Sequence, residues 1–263
     1  MPESSRVGRE QVRERILEVL SADYGCTPAA LLDGQVHLFE LPPGPARQPG
    51  RRRYPDVDPH FAAVSFGRGA VITASVGWLP WVREICRERS RDELFDVGVL
   101  SAVSERVRPE GHRILGPHLR FALAEAELRE LPAAPGYAIE LSDGAGLRDL
   151  AHADWPNAIG RVPRPERPNR AAAIARRDGQ IAGVAGASAD AERLWQIGID
   201  VLAGHRGVGL GAQLTAEVAR ATFEQGAVPY YSLLPGNLPS MRTALSVGFR
   251  PSWIEVVTTR LDA

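Results

Sequence analysis

The sequence contains no lysine, so arginine alone supplies the 31 residues counted as Lys+Arg. Schiff-base chemistry and lysine nucleophiles are thereby excluded. So is the phosphate-binding P-loop, whose pattern ends in Gly-Lys followed by Ser or Thr. Cysteine is nearly absent as well: Cys26 and Cys86 are too few and too far apart for a disulfide framework or a zinc site, and are expected to be reduced thiols. No apolar run reaches membrane length, and the first twenty residues scatter charges where a signal peptide needs an unbroken apolar stretch. A cytoplasmic protein without a membrane partner is expected. The formal net charge of -1 gives no excess positive potential, and no arginine-rich amphipathic helix stands out, so nucleic acid is excluded as a partner.

What is present is enough chain for one large or two ordinary domains, 263 residues at 44% hydrophobic. In the first half, Val12, Ile16, Val19 and Leu20 recur at helical spacing within 6–20. Thr27-Pro28 opens a short helical turn, and Val36 to Leu41 reads as a strand. The segment 41–59, dense in proline, glycine and arginine, reads as a solvated loop, Arg51, Arg52 and Arg53 included. Phe61 to Phe66 and Ala70 to Ser75 flank Gly67-Arg68-Gly69 as a hairpin. Helices are expected over 79–89 and 91–107, stopped by Pro109 and Gly111, with a strand over 118–123. His112 and His118 read as isolated surface or boundary residues. Leu131 to Gly136 is the expected boundary between an N-terminal α+β domain, 1–133, and a second domain, 134–263.

Past that boundary, Tyr137 to Leu141 reads as a strand, 146–153 as a helix and 157–170 as an irregular, proline-rich loop. Asp178-Gly179 between two apolar runs is a strong hairpin signal. In Leu194 to Val201, Ile197, Ile199 and Val201 share one face and Gln196, Gly198 and Asp200 the other, the period of a strand. It runs into Gly204-His205-Arg206-Gly207-Val208-Gly209-Leu210-Gly211, then into a helix expected over 212–225 that ends at Gly226. Glycine admits left-handed backbone, so successive N–H groups can converge on one anion, and the helix dipole favours negative charge there. The dinucleotide fingerprint does not fit, because these glycines alternate and the strand lies far from the start of its domain.

Arg206-x-x-Gly209-x-Gly211 resembles the acetyl-CoA pyrophosphate signature Q/R-x-x-G-x-G/A of the GNAT superfamily of N-acetyltransferases, and Asn237, Ser240 and Gly248-Phe249 fall where many of its members have N-x-x-A/S and then GF. The likeness covers about 137 to the C-terminal end. SADAERLWQIGIDV, GAVPYYS and GFRPSWIE are similar to a bacterial subgroup, whose N-terminal region also has counterparts of DYGCTPAALL and AVSFGRGAVITAS. The resemblance implies a mixed α/β sheet of GNAT type carrying an additional N-terminal α+β domain. That domain would be a lid or packing element, or a degenerate acetyltransferase half.

It further implies an enzyme that moves an acetyl group from acetyl-CoA to a primary amine of a small molecule or peptide, with no metal and no covalent enzyme intermediate. The strands 194–201 and 229–234 would splay around pantetheine, with Ile199 and Val201 exposing amides and that of Val201 polarising the thioester carbonyl. Arg206, Gly207, Val208, Gly209, Leu210, Gly211 and Ala212 would hold the pyrophosphate, and Asn237 and Ser240 would lie near the thiol. For Asn237 a turn or helix cap is the second reading. Two usual groups are missing: the leaving-group tyrosine four residues before Gly248-Phe249 is Ala244, and the glutamate six before Val201 is Trp195. Asp200, Asp190, Glu255, Tyr230 and Tyr231 are the candidates to move the proton, with Asp200, Tyr231, Ser240 and Val201 as the catalytic set; for Asp200 a structural hydrogen-bonding role stands beside the catalytic one. A catalytically inactive acyl-CoA sensor is the alternative function, and monomer and homodimer stay open.

Overall fold

The computed structural model describes residues 7–41, 50–53, 59–147, 150 and 152–261. Much of the 41–59 segment, the first residue of the expected helix at Arg6 and part of the expected 146–153 helix lie outside them. In chain order the elements are α1 (Arg9–Tyr24), β1 (Val36–Glu40), β2 (Phe61–Ser65), β3 (Ala70–Ala74), α2 (Leu79–Ile85), α3 (Val97–Val107) and β4 (His112–Ala122). Then follow β5 (Ala138–Asp143), β6 (Asn169–Arg177), β7 (Gln180–Ala191), β8 (Leu194–Val201), α4 (Leu210–Glu224), β9 (Val228–Leu233), α5 (Leu238–Val247) and β10 (Arg250–Arg260).

The chain packs as two compact units, one of residues 1–15, 121–233 and 237–251, the other of 16–120, 234–236 and 252–263. The main division between the units falls at 120/121, and the last strand lies mostly in the unit built mainly from the N-terminal half. Both units are mixed α/β. Helices α2 and α3 are shorter than the periodicity predicts: 86–92 is a charged turn and Glu93–Phe95 a 3₁₀ turn, and Asp96 caps α3 by accepting from the Val99 amide at 3.2 Å.

In the first unit the strands run in the order β9-β8-β7-β6-β5. The β6–β7 hairpin turns through Asp178 (φ 51°) and Gly179 (φ 79°), the paired left-handed residues of a type I′ turn. One face of β7 and β8 takes α4, which buries Leu210, Leu214, Val218 and Ala219 at helical spacing. The opposite face packs Trp155, Ala158 and Ile159 around Ile174 and Val184.

In the second unit the order is β1-β3-β2-β10-β4. Strands β2 and β3 are buried along their whole length, and Phe61, Ile72, Trp78, Val82, Leu94 and Val103 meet in one core. His112 is buried, not at the surface, with its ring edge-on to His60 at 4.4 Å between centroids.

Arg52 is likewise no solvated loop residue. It is 8% exposed, donates from Nε to Asp23 at 2.5 Å, and grips both oxygens of Glu255 at 3.0 and 2.7 Å. Arg120 pairs with the same carboxylate at 2.6 Å and the Trp253 indole donates to it at 3.2 Å. Burial opposes ionisation of Glu255, yet the two guanidiniums overcome it and hold the carboxyl far below its usual range. Asp23 shifts upward instead, since burial outweighs its single partner. Burial, reinforced by Arg120, pushes the His118 imidazole down to about 4.

Two outcomes are expected. Arg52→Ala leaves two buried carboxylates without their shared cation and should destabilise the protein by about 3–5 kcal/mol in chemical denaturation. His118 is neutral in the folded protein but charges near 6.5 when unfolded, so stability is lost as pH falls from 6.5 towards 4, on the order of 3 kcal/mol. In His118→Asn that part of the pH slope should vanish.

Candidate functional site

The site begins where two strands part. β8 pairs antiparallel with β7 along its length, from Ser188↔Gln196 to Gly183↔Val201. It pairs parallel with β9 only from Leu194↔Val228 to Ile197↔Tyr231. The Leu202 amide donates to the Ala182 carbonyl at 3.0 Å, which sets the parity of the ladder. Gly198, Asp200 and Leu202 direct their backbone groups to β7, and Ile199 and Val201 direct theirs the other way. The Val201 carbonyl confirms this by accepting from Arg206 Nε at 2.8 Å. The N–H groups of Ile199 and Val201 therefore face the side from which β9 has departed.

The loop after β8 turns through a 3₁₀ segment, Ala203–His205, held by a 2.9 Å bond between the Tyr137 hydroxyl and His205 Nδ1. Arg206 is extended, Gly207 is left-handed (φ 84°), and Gly209, left-handed at φ 83°, is the N-cap of α4. A glycine cap has no side-chain acceptor, so Gly209 offers none to the first-turn amides of Leu210, Gly211 and Ala212. A Cβ at Gly207 or Gly209 would meet nothing within 4 Å. Glycine is needed there for backbone conformation, and the space above the loop is open. Gly211 lies within the helix, where a Cβ would come 3.5 Å from Ile199 Cδ1, so the helix start leans on the free half of β8.

Asn237 and Ser240 sit at the start of α5. The Asn237 side chain accepts from the Ser240 amide at 3.2 Å and is thus a helix cap. The Ser240 hydroxyl lies 2.9 Å from that of Tyr231. Tyr231 is 2% exposed, and burial raises its phenol above the ordinary value. Ala244 is fully buried, and Trp195, 6% exposed, donates from its indole to the Glu192 carbonyl at 3.0 Å.

The carboxylates proposed from sequence are all engaged. Asp200 accepts from the Asn157 and Ala158 amides at 2.8 and 2.9 Å and from Asn157 Nδ2 at 2.6 Å, the structural of its two readings. Asp190 is fully buried, paired with Arg167 and accepting from the Tyr230 hydroxyl, which also bonds Gln196 at 2.9 Å. Glu255 belongs to the ion cluster of the second unit. Only Tyr231, through Ser240, keeps a hydroxyl pair at the forked strands.

Sequence reading missed the loop that Asp200 holds. A Cβ on Gly198 would fall 1.7 Å from the Asn157 carbonyl oxygen and one on Gly186 2.5 Å from that of Ala158. These two glycines are cross-strand partners, so backbone 157–158 lies directly on the strand backbones. The signal was the glycine in an otherwise side-chain-bearing strand face.

A forked parallel pair, amides facing the fork and an uncapped, glycine-led helix start fit an elongated ligand that carries a pyrophosphate and an extended, hydrogen-bonding arm. Residues 144–249 match the model of the Acetyltransferase (GNAT) family. No curated protein matches the chain. Among solved structures, a GNAT-family protein from Novosphingobium aromaticivorans is similar at 25% identity over 56% of this chain and 66% of its own, with a TM-score of 0.40. A GCN5-related N-acetyltransferase from Kribbella flavida is similar at 22% identity over 61% of this chain and 64% of its own, TM-score 0.47. The chain thus spans just under two thirds of either. The Salmonella typhimurium protein yncA, solved with acetyl-CoA, matches at 16% identity over 48% of this chain and 95% of its own, TM-score 0.34. The fork, the glycine loop and α4 all lie inside the segment that matches the GNAT family model.

Proposed function

We propose that the protein transfers an acetyl group from acetyl-CoA to a primary amine by direct attack. The observation that carries this reading is the end of β8–β9 pairing at Ile197↔Tyr231, which leaves the Ile199 and Val201 amides facing the fork beside an uncapped helix start. Acetyl-CoA supplies an activated thioester. The Ile199 amide and the Val201 amide bond the arm that carries it, and the Val201 N–H polarises its carbonyl where negative charge develops, a contribution of roughly 10²-fold or more in rate for one such donor. The amides of Gly207 to Ala212, with the α4 dipole, hold the pyrophosphate.

Tyr231 and Ser240 form the proton donor for the departing sulfur. Tyr231 stays protonated because it is buried, and its hydroxyl reaches outward only through Ser240. This pair takes the place of the tyrosine replaced by Ala244. Removal of the amine's proton falls to water, since Asp200, Asp190 and Glu255 are committed to other bonds. Asp200 acts as a positioning residue that fixes the 157–158 loop. The acceptor is an amine on a small molecule or peptide.

The same saturation of carboxylates, with Ala244 and Trp195 at the usual acid and base positions, favours one second reading, an acyl-CoA sensor without turnover. Calorimetry with acetyl-CoA and a screen of amines for CoA release separate the two. Binding with turnover on any amine establishes the transferase. Binding with none across the screen leaves the sensor, and no binding at millimolar acetyl-CoA removes both.

Gly209→Val, which forces a branched side chain into a left-handed backbone and into the open space of the loop, should weaken acetyl-CoA binding at least tenfold while far-ultraviolet circular dichroism stays unchanged. Tyr231→Phe keeps the ring packing but deletes the hydroxyl. It should lower kcat by about 10- to 100-fold with little change in KM for acetyl-CoA, as measured by steady-state release of CoA.

A further inference from the structure

The second unit contains a cleft of about 710 Å³ that the acetyltransferase reading does not use. Its size is that of a small-molecule pocket. The floor is apolar: Val36 and Leu38 of β1 and Ile72 of β3, with Leu38 registered opposite Ile72. The rim is basic, with Arg68 on the β2–β3 turn, Arg83 on α2, and Arg87, Arg89 and Arg91 on the turn that follows, against only Glu88 and Asp92.

Three of these arginines are engaged. Arg87 pairs with Glu84 at 2.5 Å, Arg89 with Glu93 at 3.6 Å and Arg91 with Asp92 at 3.3 Å. Arg68 and Arg83 have no acidic partner among the described residues. Both line the cleft over its apolar floor, so an anion bound there would meet two guanidiniums that have no acidic partner among the described residues.

The turn that carries Arg68 is braced from two sides. Arg91 donates from Nη1 to the Gly67 carbonyl and, at 3.1 Å, to that of Arg68. The Gly69 amide donates to the Leu31 carbonyl at 3.1 Å, and a Cβ at Gly69 would lie 2.6 Å from the Ala30 oxygen. A long, flexible cation is thus mounted on a fixed base. Across the rim, Glu88 holds a left-handed backbone at φ 59°, a conformation that costs free energy in a residue other than glycine and that concentrates at ligand sites.

We propose that this cleft binds a small phosphate monoester with an apolar body, its phosphate taken by Arg68 and Arg83 and its body laid on Val36, Leu38 and Ile72. Guanidinium forks match phosphate oxygens bidentately, and a dianion suits two uncompensated cations better than a single carboxylate does. The site is for binding and not for covalent chemistry. Cys86 lines it, but burial pushes the thiol up to about 11, so it is not a nucleophile at neutral pH.

The test titrates the full-length protein with phenyl phosphate by calorimetry, with benzoate in a parallel series. The expected results are saturable binding of phenyl phosphate, at least tenfold weaker binding of benzoate, and at least a tenfold loss of phenyl phosphate affinity in the R68Q/R83Q double variant. Both side chains are exposed, so that variant should fold, with unchanged circular dichroism as the check. The glycine loop of the first unit is a second place for an anion, so Gly209→Val is tested in parallel and should leave the affinity for phenyl phosphate unchanged. Bound phenyl phosphate should also slow alkylation of Cys86 at pH 9, read by peptide mass. Absence of binding at millimolar phenyl phosphate, binding untouched by R68Q/R83Q, or equal binding of benzoate would overturn the proposal. None of these outcomes bears on acetyl-CoA binding, which is measured separately.

Discussion

Parallel pairing between β8 and β9 ends at Ile197 and Tyr231, and the site depends on that point. One pair further and the Ile199 amide would be spent on β9. One pair fewer and Tyr231 would lose the register that sets its side chain on the face shared with Ile197 and Ile199, from which its hydroxyl reaches Ser240. A strand that leaves half its backbone unbonded needs its position fixed by something else. The antiparallel ladder to β7 does this on one edge, and the start of α4 does it from one face, with Gly211 set against Ile199.

The other face of β8 completes the support. Gly198 and Gly186 let backbone 157–158 rest on the strands without clearance, and Asp200 takes both amides of that loop. A half-buried acid in an apolar strand thus has its charge stabilised by three hydrogen-bond donors. In the proposed mechanism the carboxylate that stands out in the sequence is therefore a positioning residue, and a tyrosine in an unremarkable apolar strand carries the proton.

Short-range features were legible. The Asp178-Gly179 turn, the Gly67-Gly69 hairpin, the Leu194 to Val201 strand with its two faces, and the glycine loop before α4 are each determined by neighbours within a few residues, where backbone sterics dominate. What escaped was long-range. Arg52 lies in a proline-rich segment that reads as solvated, and its partner Glu255 stands 203 residues away. No local pattern announces such a pair. His112 was misread for the same reason, because its burial comes from His60 and the surrounding core. The helices expected over 79–89 and 91–107 are shorter in the structure because 86–92 forms a turn beside a basic cleft.

The strand β10 has a consequence for synthesis. Val256 belongs to the core of the second unit, Glu255 to its ion cluster, and Thr258 accepts from the His60 amide at 2.9 Å and the Phe61 amide at 3.1 Å. Residues 16–120 therefore leave the ribosome without the strand that pairs with β2, and with Arg52 and Arg120 facing an unfilled position. All of the first unit except residues 1–15 is translated in the interval. At ordinary elongation rates of about 5–20 residues per second, the wait between Arg120 and Glu255 lasts roughly 7–27 seconds. For that time β2 has an open edge and Arg52 and Arg120 wait for the carboxylate they share, and the last strand to be made supplies both.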